Sequence, residues 1–287
     1  MCCKLPHLTQ SFCVLVILIT RNKTLNYKDM QERHNNRRLY FEELALTSSE
    51  FYLKYINKFK KIDNNLKILE IGCGEGGNLL PFAEKGCFVA GMDLSETKIN
   101  AGNEYFAALN FDCDLVCCDF FDYKSAHKFD IIIIHDVIEH IPSDKKQEFM
   151  RLTITLLESD GIIFIAFPPW QMPFGGHQQI CRSIISTIPF IHLLPLQFYT
   201  AILRLSGEND DCIKELLSIR EAKMSIEKFE KLYKFVGLRC VDRTIWFINP
   251  HYKQKFGLMP RKQNNIISHL PYIRNYFTTS CFYVLQM

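Results

Sequence analysis

The sequence predicts an α/β domain built on a doubly wound, mostly parallel sheet of seven strands. Between residues 67 and 167, short apolar segments alternate with amphipathic segments of helical spacing. One apolar segment, 131–134, consists of four consecutive isoleucines. A strand without a polar face must be covered on both sides, which is typical of parallel sheets flanked by helices. With 287 residues, the chain is long enough to bury a full core.

The hydrophobic periodicity predicts the elements in chain order. Residues 36–61 have the spacing of a helix, which ends at the polar residues 63–65. Five apolar strands then alternate with three helices, and one further helix and two strands complete the sheet. The predicted strands are 67–71, 87–92, 114–118, 129–135, 161–167, 238–247 and 280–285, and the predicted helices are 78–85, 96–109, 143–158 and 225–236.

Two segments interrupt the alternation of strands and helices. Residues 168–222 are punctuated by proline and glycine, and we interpret them as a cap of short helices inserted after the fifth strand. Such a cap lies above the carboxyl ends of the strands, where open α/β sheets bind ligands. A second insertion is predicted over 249–275. The domain is therefore predicted to span 30–287.

The first 29 residues are treated apart from this domain. Their apolar run, 12–19, is about eight residues long, well short of the roughly 20 that span a bilayer. Residues 1–29 are predicted to be a poorly ordered leader, a membrane-touching arm, or the result of a start assigned too early, because Met30 opens a sequence typical of a domain.

Composition and charge exclude several classes of protein. The hydrophobic content of 48% and charged content of 23% are those of a globular chain, which excludes disorder. The net charge is only +3, so nucleic acid is an unlikely partner. The twelve cysteines contain no CxxC pair, which argues against a disulfide framework and favours a reducing, cytoplasmic compartment.

A glycine-rich turn with two acidic partners is the most informative feature. Gly72, Gly74 and Gly76 follow the first predicted strand and precede a helix. Glycines there let a ligand lie against the backbone, and the amides of a helix N-terminus can face a carboxylate or phosphate. Asp93 ends the second strand, where a carboxylate can accept the hydroxyls of a ribose. Asp119 follows the third strand, and together these residues predict a nucleoside pocket.

Residues 66–167 resemble the class I S-adenosylmethionine-dependent methyltransferases. The nicotinamide dehydrogenases are disfavoured, because the third glycine of their GxGxxG fingerprint falls one residue later than Gly76, although Gly77 leaves a degenerate match to it. The resemblance implies a Rossmann-like methyltransferase fold and S-adenosyl-L-methionine as cofactor. It implies that Glu70, Gly72, Gly74 and Gly76 surround the methionine part of the cofactor, that Asp93 binds its ribose, and that Asp119 and Phe120 lie at its adenine, with Cys73, Leu94 and His135 as further candidates for contact.

A candidate metal site follows the fourth predicted strand. If a helical turn begins there, Asp136, Glu139 and His140 share one face, and His177 could supply a fourth ligand. The pattern is similar to the acid-x-x-Glu-His motif of the metal-dependent O-methyltransferases of small-RNA ends and of ubiquinone biosynthesis, in which the first acid is usually Glu. This resemblance implies a divalent cation such as Mg²⁺.

The same residues also allow a site without a metal. His140 and His177 are then the candidates for a catalytic general base, because imidazole titrates near neutral pH. His177 is favoured, because Gly175 and Gly176 predict a mobile loop above the pocket.

The two insertions suggest what the acceptor could be. The apolar segment 184–195 predicts either the packed core of the cap or a surface that admits a lipid-like acceptor or makes peripheral contact with a membrane. The second insertion carries His251, Tyr252 and Lys255, a basic and aromatic mixture that could meet an anionic group.

The predicted function is transfer of a methyl group to oxygen on a small or lipid-linked acceptor. One alternative is a metal-independent C- or N-methyltransferase acting on a small molecule. Another is a partner protein that binds the cofactor without catalysis. An RNA 2′-O-methyltransferase is disfavoured by the low net charge.

Overall fold

The computed structural model describes residues 36–287, so the predictions for 1–29 lie outside the described residues. Its strands form one eight-stranded, mostly parallel sheet with helices on both faces, which confirms the predicted fold class. The strand beyond the predicted seven is only two residues long and lies in the second insertion.

The parallel half of the sheet holds five strands whose order reverses at the first strand. All neighbouring pairs in this half are parallel, so their carboxyl ends meet at one edge of the sheet. The strands are β1 (Lys67–Ile71), β2 (Phe88–Asp93), β3 (Asp114–Cys117), β4 (Phe129–His135) and β5 (Leu157–Phe167), in the spatial order β3-β2-β1-β4-β5.

Helices connect these strands and cover both faces of the sheet. An N-terminal helix precedes β1 and continues through a π-helical stretch, Ser48–Tyr52, into a second short helix. The helices are α1 (Arg37–Thr47), α2 (Leu53–Ile56), α3 (Leu80–Ala83), α4 (Glu96–Ala108) and α5 (Lys146–Thr155). A 3₁₀ turn, Gly77–Leu79, links the glycine-rich turn to α3.

The C-terminal part extends the sheet with antiparallel strands. The last strand of the chain inserts between β5 and the strand that precedes it in sequence, and it is antiparallel to both. These strands are β6 (Arg239–Ile248), β7 (Arg261–Lys262) and β8 (Ser280–Gln286), which complete the order β5-β8-β6-β7.

The two insertions are helical. Between β5 and β6 lie three 3₁₀ turns, Gln178–Ile180, Ile184–Thr187 and Ile191–Leu193, followed by α6 (Leu196–Leu205), α7 (Asp210–Ala222) and α8 (Ile226–Phe235). Between β6 and β8 lie α9 (Tyr252–Phe256), β7, α10 (Asn265–Ser268) and α11 (Ile273–Tyr276). Among the described residues, no helix combines the length and the apolar character needed to cross a bilayer.

The core has two halves, one on each face of the sheet. Ile131, Ile132, Ile133 and Ile134 are fully buried, and they alternate between the two halves as the pleat of a strand requires. Four consecutive apolar residues therefore serve both faces at once, which is why the sequence shows no alternation here.

The predicted boundary between the helix after β4 and the strand β5 was wrong, because the first residues of β5 are mostly polar. The helix predicted over 143–158 is α5, which ends at Thr155, and β5 begins at Leu157 rather than at residue 161. The residues between, including Glu158 and Asp160, form an irregular start of the strand, where the pairing with β4 shifts register after Phe129. Ser159 and Asp160 are exposed and polar, so this part of the sequence looks like a turn.

Gly102→Ala is expected to destabilise the fold although alanine favours a helix. A Cβ at Gly102 would lie 2.6 Å from the carbonyl oxygen of Glu75 and 2.7 Å from Leu115 Cδ1. The resulting overpacking costs about 1–3 kcal/mol, more than the roughly 1 kcal/mol that alanine gains over glycine in a helix. Urea unfolding measures this difference. Asn103→Ala, on the exposed side of α4, is the control and is expected to be neutral or slightly stabilising.

Candidate active site

The glycine-rich turn is fixed to the end of β2 by backbone hydrogen bonds. The N–H groups of Gly72 and Cys73 both donate to the carbonyl oxygen of Met92, at 2.8 and 2.9 Å. Gly72 has a φ of 72°, and a Cβ there would collide with Val137 Cγ2. Only glycine satisfies both conditions, so the chain can turn sharply at the carboxyl end of β1 and leave its backbone open to a ligand.

The side chain of Asp93 is also hydrogen-bonded to this turn. One carboxylate oxygen, Oδ2, accepts a hydrogen bond from the N–H of Gly74 at 3.0 Å, and the other, Oδ1, accepts from the N–H of Ser95 at 2.9 Å. Each oxygen keeps a further lone pair for a ligand hydroxyl. Asp93 therefore both orders the turn and presents an acceptor at its mouth.

Glu70 is a buried carboxyl below the turn. Asn78 donates from Nδ2 to Glu70 Oε1 at 2.7 Å, while Glu70 Oε2 has no hydrogen-bond partner. Burial, opposed by the bond from Asn78 and aided by the nearby Asp93, raises the pKa of Glu70 to about 8. An unpartnered buried oxygen is costly, which indicates that a ligand group completes this site.

A first cavity of about 500 Å³ lies over the turn at the carboxyl ends of β1, β2 and β4. It brings together nearly all the side chains predicted for cofactor contact. Its lining includes Glu70, Gly72, Cys73, Gly74, Asp93, Leu94, Asp119, Phe120 and His135.

Two of the predicted contacts, Gly76 and Phe120, differ from their expected form. Gly76 does not line the cavity, because it lies against Phe106 beneath the turn. Phe120 borders the cavity, but its ring is buried against Phe149, with centroids 4.7 Å apart. Leu94 is 73% exposed at the cavity mouth and is the more open apolar surface for a base.

His135 is held at the end of β4 by the N-terminal helices. Its Nε2 lies 2.8 Å from the hydroxyl of Tyr52, which is fully buried. Its Nδ1 lies 3.8 Å from Asp136 Oδ2. The imidazole is therefore oriented from both sides where it lines the first cavity.

A second cavity of about 440 Å³ adjoins the first, and five residues line both: Tyr40, Glu75, Lys98, Asp136 and His140. Its other walls come from α1, from the cap and from the second insertion. They include Arg37, Glu43, Met172, Phe174, His177, Gln179, His251, Tyr252 and Lys255. Ligands in the two cavities would therefore lie against the same five side chains.

Glu139, His140 and His177 form a cluster beside the shared wall. Their ligand atoms all lie within 4.8 Å of one another, and the two imidazole centroids are 4.8 Å apart. Both carboxylate oxygens of Glu139 are buried without a hydrogen-bond partner, and burial holds its pKa well above the usual range. A carboxylate and two imidazoles are groups that bind divalent cations.

Asp136 does not belong to this cluster, contrary to the expected helical spacing. Its φ of 54° is left-handed, and its N–H donates to the carbonyl oxygen of Ala166 in β5. The turn begins one residue later, where the N–H of His140 donates to the carbonyl oxygen of Val137. The backbone conformation thus separates Asp136 from Glu139.

The cap holds His177 in a packed position. A Cβ on Gly175 would collide with the carbonyl oxygen of Trp170, and one on Gly176 would collide with His192. The two glycines thus permit close packing, in place of the mobility expected from the sequence. Burial, with His140 and His192 nearby, lowers the pKa of His177 to about 3. Burial also lowers the pKa of His140.

Several residues of the site carry no signal in the sequence. Tyr40 and Arg37 lie on a helix that looks like an ordinary amphipathic helix, and Lys98 lies on α4 among other polar residues. Asn78 could have been found from its position in the turn, since the first turn after a glycine-rich loop usually faces the ligand.

Comparisons with known proteins agree with this geometry. A family model described as a methyltransferase domain matches residues 68–161, which confirms the resemblance to the class I S-adenosylmethionine-dependent methyltransferases. An uncharacterized protein of Rickettsia prowazekii is 34% identical over 115 residues, covering 38% of this chain and 21% of the relative. A ubiquinone biosynthesis O-methyltransferase of Bartonella tribocorum is 34% identical over 133 residues, covering 42% and 50%. The matches span half or less of these relatives' length.

Solved structures support the fold over nearly the whole chain. The plantazolicin methyltransferase BpumL, solved with S-adenosylhomocysteine, has a TM-score of 0.52 at 14% identity and covers 98% of this chain and 99% of its own. An S-adenosylmethionine-dependent methyltransferase from Clostridium acetobutylicum has a TM-score of 0.52 at 14% identity and covers 98% of both chains. At this identity the likeness concerns the fold alone.

Glu70→Gln is expected to flatten the fall of stability with pH. The pKa of Glu70 is about 8 in the fold, against an ordinary value of 4.5. Between these two pH values the native state therefore keeps a proton on Glu70 that the unfolded state has lost. The stabilisation is complete below pH 4.5 and is lost as the pH rises to about 8, by up to about 1.4 kcal/mol per pH unit. Glutamine can still accept from Asn78 but does not titrate.

Urea unfolding at several pH values across this window measures the effect. Glu42→Gln, which changes an exposed carboxylate on α1, is the control and should keep the wild-type slope. Equal slopes for the wild type and Glu70→Gln would contradict the assignment of a buried, protonated Glu70.

Proposed function

We propose, from the premise that residues 68–161 form a class I S-adenosylmethionine-dependent methyltransferase domain, that the chain transfers a methyl group to an acceptor bound in the second cavity. The observation that carries the proposal is the junction of two cavities at a shared wall. One cavity has the groups that suit a nucleoside with an amino-acid tail. The other has room for a second reactant.

The residues of the first cavity fit S-adenosylmethionine. The open backbone of Gly72 and Gly74 accommodates a close-lying chain, and the unpartnered Glu70 Oε2 suits an ammonium group. Asp93 and Asp119 offer carboxylate oxygens to the ribose hydroxyls and the base. The bound cofactor supplies an electrophilic methyl group on a sulfonium.

The chain's part in catalysis is mainly alignment. Aligning two reactants in line removes much of the entropic barrier to transfer. Tyr40, Asp136 and His140 border both cavities, so they are the side chains that would frame the reacting atoms. His135, fixed by Tyr52, supports this wall from below.

We favour oxygen as the methylated atom, since a hydroxyl acceptor must lose a proton and two imidazoles are available. Both are neutral near pH 7, because burial lowers the pKa of each. A pKa near 3 makes His177 a weak base, so His140 is the better proton acceptor of the pair. His177 is better suited to positioning or to binding a cation.

The cluster of Glu139, His140 and His177 would hold a divalent cation if one takes part. A cation would supply Lewis acidity toward an acceptor oxygen. Two imidazoles with one carboxylate favour a first-row transition ion such as Mn²⁺ over Mg²⁺, which prefers oxygen ligands. The unpartnered oxygens of Glu139 support this proposal.

The acceptor is proposed to be a small molecule, with a lipid-linked one favoured by the cap. Residues 168–207 contain no Asp or Glu, and their charged residues are Arg182 and Arg204, both exposed. Ile184, Phe198 and Leu205 are 74%, 65% and 88% exposed. In this first part of the cap, an exposed apolar surface with two arginines suits the surface of an anionic bilayer, where a lipid-linked acceptor would reside. The acidic residues of the cap all lie within 208–222.

Two other functions use the same cofactor cavity. A C- or N-methyltransferase would need no cation, and its activity would survive chelation. A partner protein without catalysis would bind the cofactor and show no turnover with any acceptor.

Calorimetric titration with S-adenosylhomocysteine tests the proposed function. Wild type is expected to bind, and Asp93→Ala to bind at least about tenfold more weakly, or about 1.4 kcal/mol, because it loses the carboxylate at the ribose and the tie to Gly74. Asp122→Ala, an exposed acid after β3, is the control and should keep the wild-type affinity. A folded wild type that does not bind would overturn the proposal.

The same titration with Mn²⁺, with Mg²⁺ and after chelation tests the cation. Glu139→Gln is expected to lose the heat of Mn²⁺ binding, whereas Asp136→Asn, outside the cluster, should retain it. Full methyl transfer by a thoroughly chelated enzyme would show that the cation is not needed.

Sedimentation with vesicles tests the membrane contact. The protein is expected to pellet with vesicles of phosphatidylcholine and phosphatidylglycerol and less with phosphatidylcholine alone. The double variant Phe198→Ser, Leu205→Ser should lose most of this binding, since both side chains are largely exposed. Phe235→Ser, an exposed aromatic outside the cap, is the control. Equal binding by both variants would contradict the assignment to the cap.

A further inference from the structure

A second group of potential metal ligands lies inside the cap, separate from the cavities described above. Cys181, Glu208 and Cys212 bring two sulfurs and a carboxylate oxygen within 4.8 Å of one another. Cys181 and Glu208 are buried, while Cys212 is partly accessible. None of the three lines either cavity.

Two segments of the cap supply this cluster. Cys181 follows the 3₁₀ turn Gln178–Ile180, while Glu208 lies just before α7 and Cys212 in its first turn. The carboxylate of Glu208 accepts from the backbone N–H groups of Arg182 and Ser183, at 3.0 and 2.8 Å. Cys212 lies in the first turn of α7, where its N–H donates to Oδ1 of the N-cap residue Asn209 at 2.8 Å. The ligand atoms are therefore brought together by backbone structure and not by flexible side chains alone.

The spacing and the chemistry of these atoms suit zinc. In a tetrahedral zinc site with bonds of about 2.3 Å to sulfur, neighbouring ligand atoms lie roughly 3.5–4 Å apart. The observed limit of 4.8 Å needs only a small contraction. Two thiolates and a carboxylate favour zinc over hard cations such as Mg²⁺.

The charge of the cluster also permits zinc in the low-dielectric interior. Zinc would replace the protons of two thiols, so its two positive charges leave the net charge of the buried group unchanged. The existing bonds from Arg182 and Ser183 to Glu208 leave further lone pairs on its oxygens for a metal.

We propose that Cys181, Glu208 and Cys212 form a zinc site that fastens the cap, with a water as the fourth ligand at the accessible side of Cys212. The site joins the segment after β5 to the start of α7. Its consequence reaches the second cavity, because His177 and Cys181 are the residues that flank the 3₁₀ turn Gln178–Ile180. Zinc at Cys181 therefore restrains the segment that carries His177.

Cobalt substitution tests the site on the full chain, because thiolate ligands give Co²⁺ an intense charge-transfer absorption in the near ultraviolet. Wild type, made metal-free under reducing conditions, is expected to develop this band at one equivalent of Co²⁺ and to lose it when zinc is added. A band from Glu139, His140 and His177 is excluded, since that cluster has no sulfur.

Variants assign the band to the cap. Cys212→Ser and Glu208→Gln are expected to weaken zinc binding at least about tenfold, since loss of even an outer-shell partner typically costs about 10–100-fold, and Cys212→Ser should reduce the cobalt band. Cys240→Ser, a partly buried cysteine on β6, is the control and should retain both. Cys212 packs against the edge of the cap core and is partly accessible, so serine, which is nearly isosteric, removes little buried volume there.

Three results would overturn the proposal. The first is the absence of a thiolate band in folded, reduced wild type. The second is a band that survives unchanged in Cys212→Ser. The third is a disulfide between Cys181 and Cys212 in protein prepared under reducing conditions, because that bond would consume both ligands. Since none of these readouts involves methyl transfer, failure here is distinguishable from failure of the proposed function.

Discussion

The attachment of the glycine-rich turn to the end of β2 is the interaction on which the site depends. The carbonyl oxygen of Met92 accepts two backbone bonds from the turn, and Asp93 accepts a third from Gly74. Two of these bonds join backbone groups and the third uses the Asp93 carboxylate, so the position of the turn depends on the end of β2 and on that one side chain. They place the first cavity at the carboxyl ends of the parallel strands, where the sheet order reverses and a cleft opens.

Two buried carboxyl groups near the site lower the stability of the fold. Glu70 and Glu139 each have at least one oxygen without a hydrogen-bond partner, and burial raises the pKa of both. Such groups weaken a fold unless a ligand or proton satisfies them. They lie beside the two cavities, one below the glycine turn and the other beside the shared wall. The free-energy cost of these unpaired oxygens thus falls at the positions where a bound ligand would offset it.

The cap completes the second cavity and carries its own apolar core. Tyr199 and Leu203 of α6 pack with Cys181 inside it, while Phe198 and Leu205 of the same helix face outward. Within the apolar segment 184–195, Ile185 and Ile191 belong to this core, whereas Ile184 is 74% exposed. Contact of the exposed side chains with a lipid or a membrane stays a prediction. Close packing at Gly175 and Gly176 then fixes His177 at the cavity wall.

The sequence by itself determined the parallel half of the sheet, because its strands and helices follow a simple hydrophobic period. It also determined the glycine turn and the acids Asp93 and Asp119, because each directly follows or ends one of these strands. Only the tertiary structure decided which distant residues share a cavity. The left-handed φ of Asp136 removed it from the cluster of Glu139, and the packing of α1 brought Tyr40 to the shared wall. Such placements depend on how helices and insertions pack, which no local pattern records.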